Sequence, residues 1–230
     1  MAAVSMTLAA MLAPSARAAS PEEQVDHRTQ EALAMDAHPE RGAQLFAARC
    51  SRCHGDRALG DAAHNVPALA GQRFKYLVRQ LANFAGAERD SQSMHAVARQ
   101  PAVNDPQRWV DLAAYLNQIA PAVRKQTGPG DAVALGRGIF HEQCASCHGA
   151  DAGGDQAGFV PSLRQQHFGY LDTQMHKLAD NYRHNADEDL VRFMRSFEDH
   201  DMEGTADYLS RLKGPGKTRS TMRDNGVVVN

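Results

Sequence analysis

The sequence predicts an all-α protein built from two copies of one small helical unit. Three observations carry that expectation: an internal repeat spanning most of the chain, apolar residues at helical rather than alternating spacing, and one copy of the same cysteine–histidine motif in each half. At an offset of 94 residues, Gly42 falls on Gly136, Phe46 on Phe140, Cys50 on Cys144, Cys53 on Cys147, His54 on His148 and Gly55 on Gly149. The register continues through Gly60 and Gly154, Asp61 and Asp155, Val66 and Val160, Pro67 and Pro161, Leu69 and Leu163, Gln72 and Gln166, Tyr76 and Tyr170, and Gln80 and Gln174. Ala113 and Tyr115 match Ala206 and Tyr208 at an offset of 93, so the segment between has changed length slightly.

In chain order, residues 1–18 read as a secretory leader: an apolar run from Ala2 to Ala13, small residues after it, and Ala16-Arg17-Ala18 as an A-x-A cleavage signal. The leader lacks the usual basic opening residues, which points to a start other than Met1 or to residues upstream. Each unit then opens on a helical pattern that runs into its cysteines, with Leu45, Phe46 and Ala48 in one and Leu135, Ile139 and Phe140 in the other. A Gly/Asp-rich loop follows. The second helix of each unit carries Phe74, Leu77, Val78 and Leu81, or Phe168, Leu171, Met175 and Leu178, and a third closes each unit around Trp109 to Ile119 and Met202 to Leu212. Pro, Gly and charge interrupt the pattern at 121–131, dividing a domain at 19–120 from one at 132–213 and leaving 214–230 as a flexible tail.

Composition narrows the function classes. A net charge of −2 from 25 basic and 27 acidic residues supplies no basic stripe for a phosphate backbone, so nucleic acid is not an expected partner. No stretch reaches the ~18 consecutive apolar residues needed to span a bilayer. Two domains of about a hundred residues have thin cores, and a covalently attached flat macrocycle would add apolar surface to each.

The motifs name that macrocycle. Cys50-Ser51-Arg52-Cys53-His54 and Cys144-Ala145-Ser146-Cys147-His148 are C-x-x-C-H sequences of the kind that attach c-type haem. Two thiols one helical turn apart add to the haem vinyl groups, and the adjacent imidazole meets the iron as proximal ligand. All four cysteines are used. Zinc sites place paired C-x-x-C motifs about 15–20 residues apart, far closer than here, and a thioredoxin-like dithiol needs a βαβ context. Two structural vicinal disulfides would leave the paired histidines unexplained.

With these residues in view, the sequence resembles the dihaem cytochrome c4 family, two class I cytochrome c domains in tandem, over most of residues 38–212. The resemblance rests on Gly42 to Phe46, Cys50, His54-Gly55, the run Val66 to Gln72, Tyr76, Gln80-Leu81, Met94 to Ala98 and Leu112 to Tyr115. It implies two covalently bound haem c groups, each enclosed in a small helical bundle. It assigns the carbonyls of Pro67 and Pro161 to the other ring nitrogen of each proximal histidine, fixing tautomer and plane. It also implies a methionine as sixth ligand, which in the first domain is Met94, with His95 next to it as the fallback.

The second domain departs from the family pattern. Counting back from Asp201-Met202 and Ala206-Asp207-Tyr208, the methionine position falls on Leu190; Met194, one turn later, and His184, on the preceding loop, are the candidate ligands, with an open iron as the third case. The resemblance implies an exported, periplasmic electron carrier of the respiratory chain, with a quinol-oxidising complex, a terminal oxidase or a periplasmic dehydrogenase as redox partners, docking on a membrane complex without spanning the membrane. The alternative is a dihaem enzyme with an open second haem, peroxidase-like or thiosulfate-oxidising, which the missing methionine at 190 keeps in view.

Overall fold

The computed structural model describes residues 18–121, 126–155 and 157–214, so apart from Ala18 and Gly214 the expected leader and tail lie outside the described residues. The architecture is helical, and the only strand-like pairings among the described residues are two isolated bridges, Asp61 with Val66 and Asp155 with Val160, at equivalent points of the repeat.

A helix that the repeat did not announce comes first. α1, Pro21–Leu33, starts in a capping box in which the Ser20 side chain accepts from the Glu23 N–H while the Glu23 carboxylate accepts from the Ser20 N–H, with proline just inside the start. It buries Val25, Thr29 and Ala32 against the first half, and Arg28 stacks 4.3 Å from the Trp109 ring.

Each half repeats one plan. In the first, α2 (Pro39–Arg49) leads into the single-turn α3 (Ser51–His54), and the loop that follows returns to α4 (Phe74–Gly86), α5 (Gln92–Ala98) and the closing α6 (Pro106–Gln118). In the second, α7 (Val133–Ile139) passes through a π-helical turn at Phe140–Cys144 into α8 (Ala145–His148), followed by α9 (Phe168–Ala179), α10 (Glu188–Met194) and α11 (Asp199–Arg211). That π turn is the main backbone difference between the two opening helices. The closing helices begin earlier than their apolar residues suggest because their first turns are polar: Asp105 caps α6 with Pro106 at its first position, and Glu198 and Asp201 form a capping box on α11.

The opening and closing helices of each half cross at a glycine. A Cβ on Gly42 would sit 2.0 Å from the Asp111 carbonyl oxygen, and one on Gly136 would sit 1.8 Å from that of Gly204. The buried Asp111 carboxylate ties the start of α2 to this crossing, accepting from the His38 N–H at 2.8 Å and from Arg41 Nε at 2.9 Å. Phe46 and Phe140, one turn past the glycines, are fully buried against the closing helices and pair with Tyr115 and Tyr208. After the histidine, Gly60 and Gly154 turn the loop at φ 73° and 74°, where a side chain would also meet the backbone of Val66–Pro67 or Val160–Pro161.

The halves meet through reciprocal bonds. The Gln72 side-chain amide pairs with both backbone groups of Ser162, and that of Gln166 pairs in the same way with Ala68. Arg73 Nε reaches the Gly153 carbonyl at 2.6 Å, and at the equivalent place His167 Nε2 reaches that of Leu59 at 2.9 Å. Since Ala68 and Ser162, Gln72 and Gln166, Arg73 and His167, and Leu59 and Gly153 are all 94 apart, the interface has approximate two-fold symmetry. Within the second half, His176 tethers α9 to α11, with Nδ1 on the Asp172 carbonyl at 2.9 Å and Nε2 on Asp199 at 3.3 Å.

Two outcomes follow from this packing. Gly42→Ala and Gly136→Ala should each cost about 3 kcal/mol or more in denaturant unfolding because backbone must move, whereas Gly138→Ala, with open space at its Cβ, should be neutral or gain about 0.5–1 kcal/mol. The Asp172 carbonyl, and then the Asp172 and Asp199 carboxylates, raise the His176 pKa. Its contribution is therefore fully present below the unfolded value of about 6.5 and is lost as pH rises through the higher folded value. Unfolding measured between pH 5 and 9 should show that decline, and His176→Gln should remove it.

Candidate haem site

The first cysteine of each motif caps the short helix that carries the second cysteine and the histidine, and all three line a single large cavity. It has a volume of about 1180 Å³ and runs across both halves, touching Cys50, Cys53 and His54 on one side and Cys144, Cys147 and His148 on the other. That exceeds the ~300–1,000 Å³ typical of a site for one small ligand. Its first-half walls include Leu77, Leu81, Leu112 and Leu116; its second-half walls include Leu171, Leu178 and Leu209.

Both histidines are fixed by their prolines. His54 Nδ1 lies 3.0 Å from the Pro67 carbonyl oxygen and His148 Nδ1 lies 3.2 Å from that of Pro161. A carbonyl only accepts, so Nδ1 carries the proton and donates, and Nε2 keeps its lone pair for a metal. Burial lowers the pKa of both rings, outweighing the opposing effect of the proline carbonyl, which favours the neutral imidazole that ligation requires. Burial, with a smaller push from the neighbouring thiol, drives Cys50 and Cys144 up to about 11, while Cys53 and Cys147 are exposed. No cysteine is in a disulfide, and among the described residues no three His, Cys, Asp or Glu side chains gather as a metal cluster.

The distal side is set by two capped helices. Ser91 caps α5 by accepting from the Met94 N–H, and Asp187 caps α10 by accepting from the Leu190 N–H. Leu190 therefore stands at the third helical position that Met94 holds in the first half. One turn on, the fully buried Ala98 has Met194 as its counterpart, so the second half carries leucine at the place of Met94 and its methionine one turn later. Met94 and Met194 both line the cavity. The two histidines weighed as substitutes do not: His95 bonds the Arg89 carbonyl at 2.7 Å, and His184 is exposed.

Between the two motifs lies a cluster the sequence reading did not single out. Arg89, buried, bonds Gln80 at 2.6 Å and Tyr76 at 3.3 Å from its own half, and Tyr170 at 2.6 Å and Gln174 at 2.8 Å from the other. Arg183, 94 residues later, lies beside it with its Nε unpartnered. Burial alone would raise the Tyr76 phenol, but the two guanidiniums hold it below the ordinary tyrosine range. Among the described residues neither arginine is ion-paired with a carboxylate, so two buried cations lie side by side without a salt-bridge partner. Haem groups bring carboxylates of their own, and the residues present fit two of them: paired thiols, a tautomer-fixed imidazole in each half, apolar walls, and arginines without a salt bridge. The repeat held the missing clue, since Arg89 and Arg183 share its offset with Tyr76 and Tyr170 and with Gln80 and Gln174.

The geometry has its counterparts in known proteins. The family model described as cytochrome c matches twice, at residues 39–120 and 133–213. The thiosulfate dehydrogenase electron acceptor of Stutzerimonas stutzeri is 29% identical over 80% of this chain and 88% of its own length. Cytochrome c4 of Azotobacter vinelandii is 28% identical over 71% of this chain and 82% of its own. The crystal structure of reduced cytochrome c4 from Pseudomonas stutzeri superimposes with a TM-score of 0.68 at 23% identity, covering 77% of this chain and all of that one, a likeness of fold. With two tandem matches, a C-x-x-C-H in each and relatives of the same two-domain length, the chain belongs to the cytochrome c family, as a dihaem protein of the cytochrome c4 kind.

Proposed function

We propose that this protein is a periplasmic two-centre electron carrier, with domains at 19–120 and 132–213 joined by a linker at 121–131. The first haem is held by Cys50 and Cys53 with His54 and Met94 as ligands, the second by Cys144 and Cys147 with His148 and Met194. The observation that carries the reading is the continuous cavity, which both histidines and both methionines line from opposite halves. When bound, each haem supplies an iron that alternates between ferric and ferrous and so carries one electron.

The chain's own residues do the rest. His54 and His148 keep one tautomer and one plane through Pro67 and Pro161, which limits rearrangement when charge changes. The thioethers of Met94 and Met194 favour the reduced metal, and the leucine walls exclude water, which also favours the less charged state. Arg89 and Arg183, facing the same cavity from the interface, would hold the haem carboxylates and balance them.

A relative named as an electron acceptor of thiosulfate dehydrogenase supports a dehydrogenase as donor, and relatives named as subunits of cbb3-type cytochrome c oxidases support delivery toward a terminal oxidase. No helix among the described residues is long and apolar enough to cross a membrane, which fits a carrier that docks on such complexes. Leu190 at the methionine position favours a second reading, a dihaem enzyme whose second iron is open to substrate.

Two measurements decide this. The purified protein should weigh two haem groups more than its processed polypeptide, and an unmodified mass ends the reading. Titrating the ferrous protein with carbon monoxide should show no fast, tight binding. Met94→Ala and Met194→Ala should each remove one methionine–iron charge-transfer band and open one iron, while His184→Ala should change neither. One carbon monoxide bound per unmodified chain would favour the enzyme.

A further inference from the structure

The proline carbonyl that receives each proximal histidine is one end of a peptide group whose other end is held by the opposite half. In the first half the group is Pro67–Ala68: its C=O accepts from His54 Nδ1 at 3.0 Å, and its N–H donates to Gln166 Oε1 at 2.9 Å. In the second it is Pro161–Ser162: its C=O accepts from His148 Nδ1 at 3.2 Å, and its N–H donates to Gln72 Oε1 at 2.8 Å. Each glutamine is buried, and its Nε2 also donates to the carbonyl of the residue it grips, at 2.9 Å in both cases. Each Oε1 is further fixed by the next backbone N–H of its own chain, from His167 at 3.1 Å and from Arg73 at 2.8 Å, and Asn117 braces the Gln72 carbonyl at 2.8 Å.

The two ends of a peptide are electronically one unit. Delocalisation across the C–N bond means that an acceptor on the N–H pushes electron density onto the oxygen, and chains of such bonds strengthen one another in a low-dielectric interior. A more negative carbonyl draws the Nδ1 proton more strongly. The imidazole then becomes a stronger donor through Nε2, and a stronger donor favours ferric iron.

We propose that Gln166 and Gln72 are crossed positioning residues: Gln166, from the second half, sets the ligand strength of His54, and Gln72, from the first, sets that of His148. The proposal rests on the reading of His54 and His148 as iron ligands. It gives the interface a role beyond adhesion, because docking the halves tunes each iron through the other's side chain. A glutamine that only held the halves together would act on both sites alike or on neither.

The test uses the complete dihaem protein, with Gln166→Met, Gln166→Glu and Gln72→Met. The readouts are the potential of each haem and the solvent exchange of each histidine Nδ1–H, followed by paramagnetic proton NMR. Gln166→Met should shift the first haem upward in potential and speed His54 Nδ1–H exchange several-fold, leaving the second haem and His148 as they were. Gln72→Met should do the reverse. Gln166→Glu, which keeps an acceptor oxygen, should return His54 exchange to the parent rate or below. Equal shifts at both haems, a shift confined to the glutamine's own half, or no shift in variants that retain two low-spin haems would overturn the proposal. If the unmodified protein lacks ring-proton signals of an iron-bound His54, the ligand assignment itself has failed, and this is seen before any glutamine is changed.

Discussion

In each half, the opening helix passes over the closing helix at a point where it cannot carry a side chain. Gly42 above the Asp111 carbonyl, and Gly136 above that of Gly204, let the opening helix lie against the closing helix at backbone contact. Everything chemical is referred to that crossing. It fixes the depth of Phe46 and Phe140, the aromatic residues fix the end of the helix, and the motif begins four residues later. The second half takes a π turn over this interval where the first stays α-helical, yet both motifs arrive at the same cavity.

Electrostatics explains why the space between the halves is polar while its walls are leucine. A buried arginine has a cost unless it is paired, and Arg89 and Arg183 are set side by side with neutral tyrosines and glutamines around them. A protein-supplied carboxylate would have neutralised the cluster and left it indifferent to what enters. Without an ion pair among the described residues, the cluster fits the proposal that the carboxylates of bound haem groups would complete it.

Much of this was legible in the sequence, and the reasons are specific. The repeat and the helical spacing of residues such as Leu77 and Leu171 gave the opening, second and closing helices of each half, because a periodic apolar face is what a helix buries, whereas the seven-residue α5 is too short to show such a face. Each motif histidine bonds the carbonyl of the proline thirteen residues later, the contact that the family resemblance implied. α1 was hidden because it lies outside the repeat, although Ser20-Pro21-Glu22-Glu23 is a start signal with a physical basis. The arginine cluster and the crossed glutamines were hidden for another reason: their partners are some ninety residues away, and no local pattern tells a glutamine that faces water from one that grips another domain. On α10, the cap at Asp187 fixes the register that makes Leu190 the equivalent of Met94, a point that counting from the far end of the domain reached by a longer route.

The matched contacts at the interface also carry a history. Where one residue of a pair touches the counterpart of what its twin touches, the surface is isologous, the arrangement by which identical subunits form a closed dimer. Gln72 and Gln166, and the loops they grip, retain that arrangement inside one polypeptide, which is what duplication and fusion of a self-associating single-haem ancestor would leave behind. Fusion releases the copies from having to mutate together. Arg73 and His167 fit such a release: two different side chains reach equivalent carbonyls in opposite halves, so the geometry of the contact does not depend on the identity of the residue that makes it.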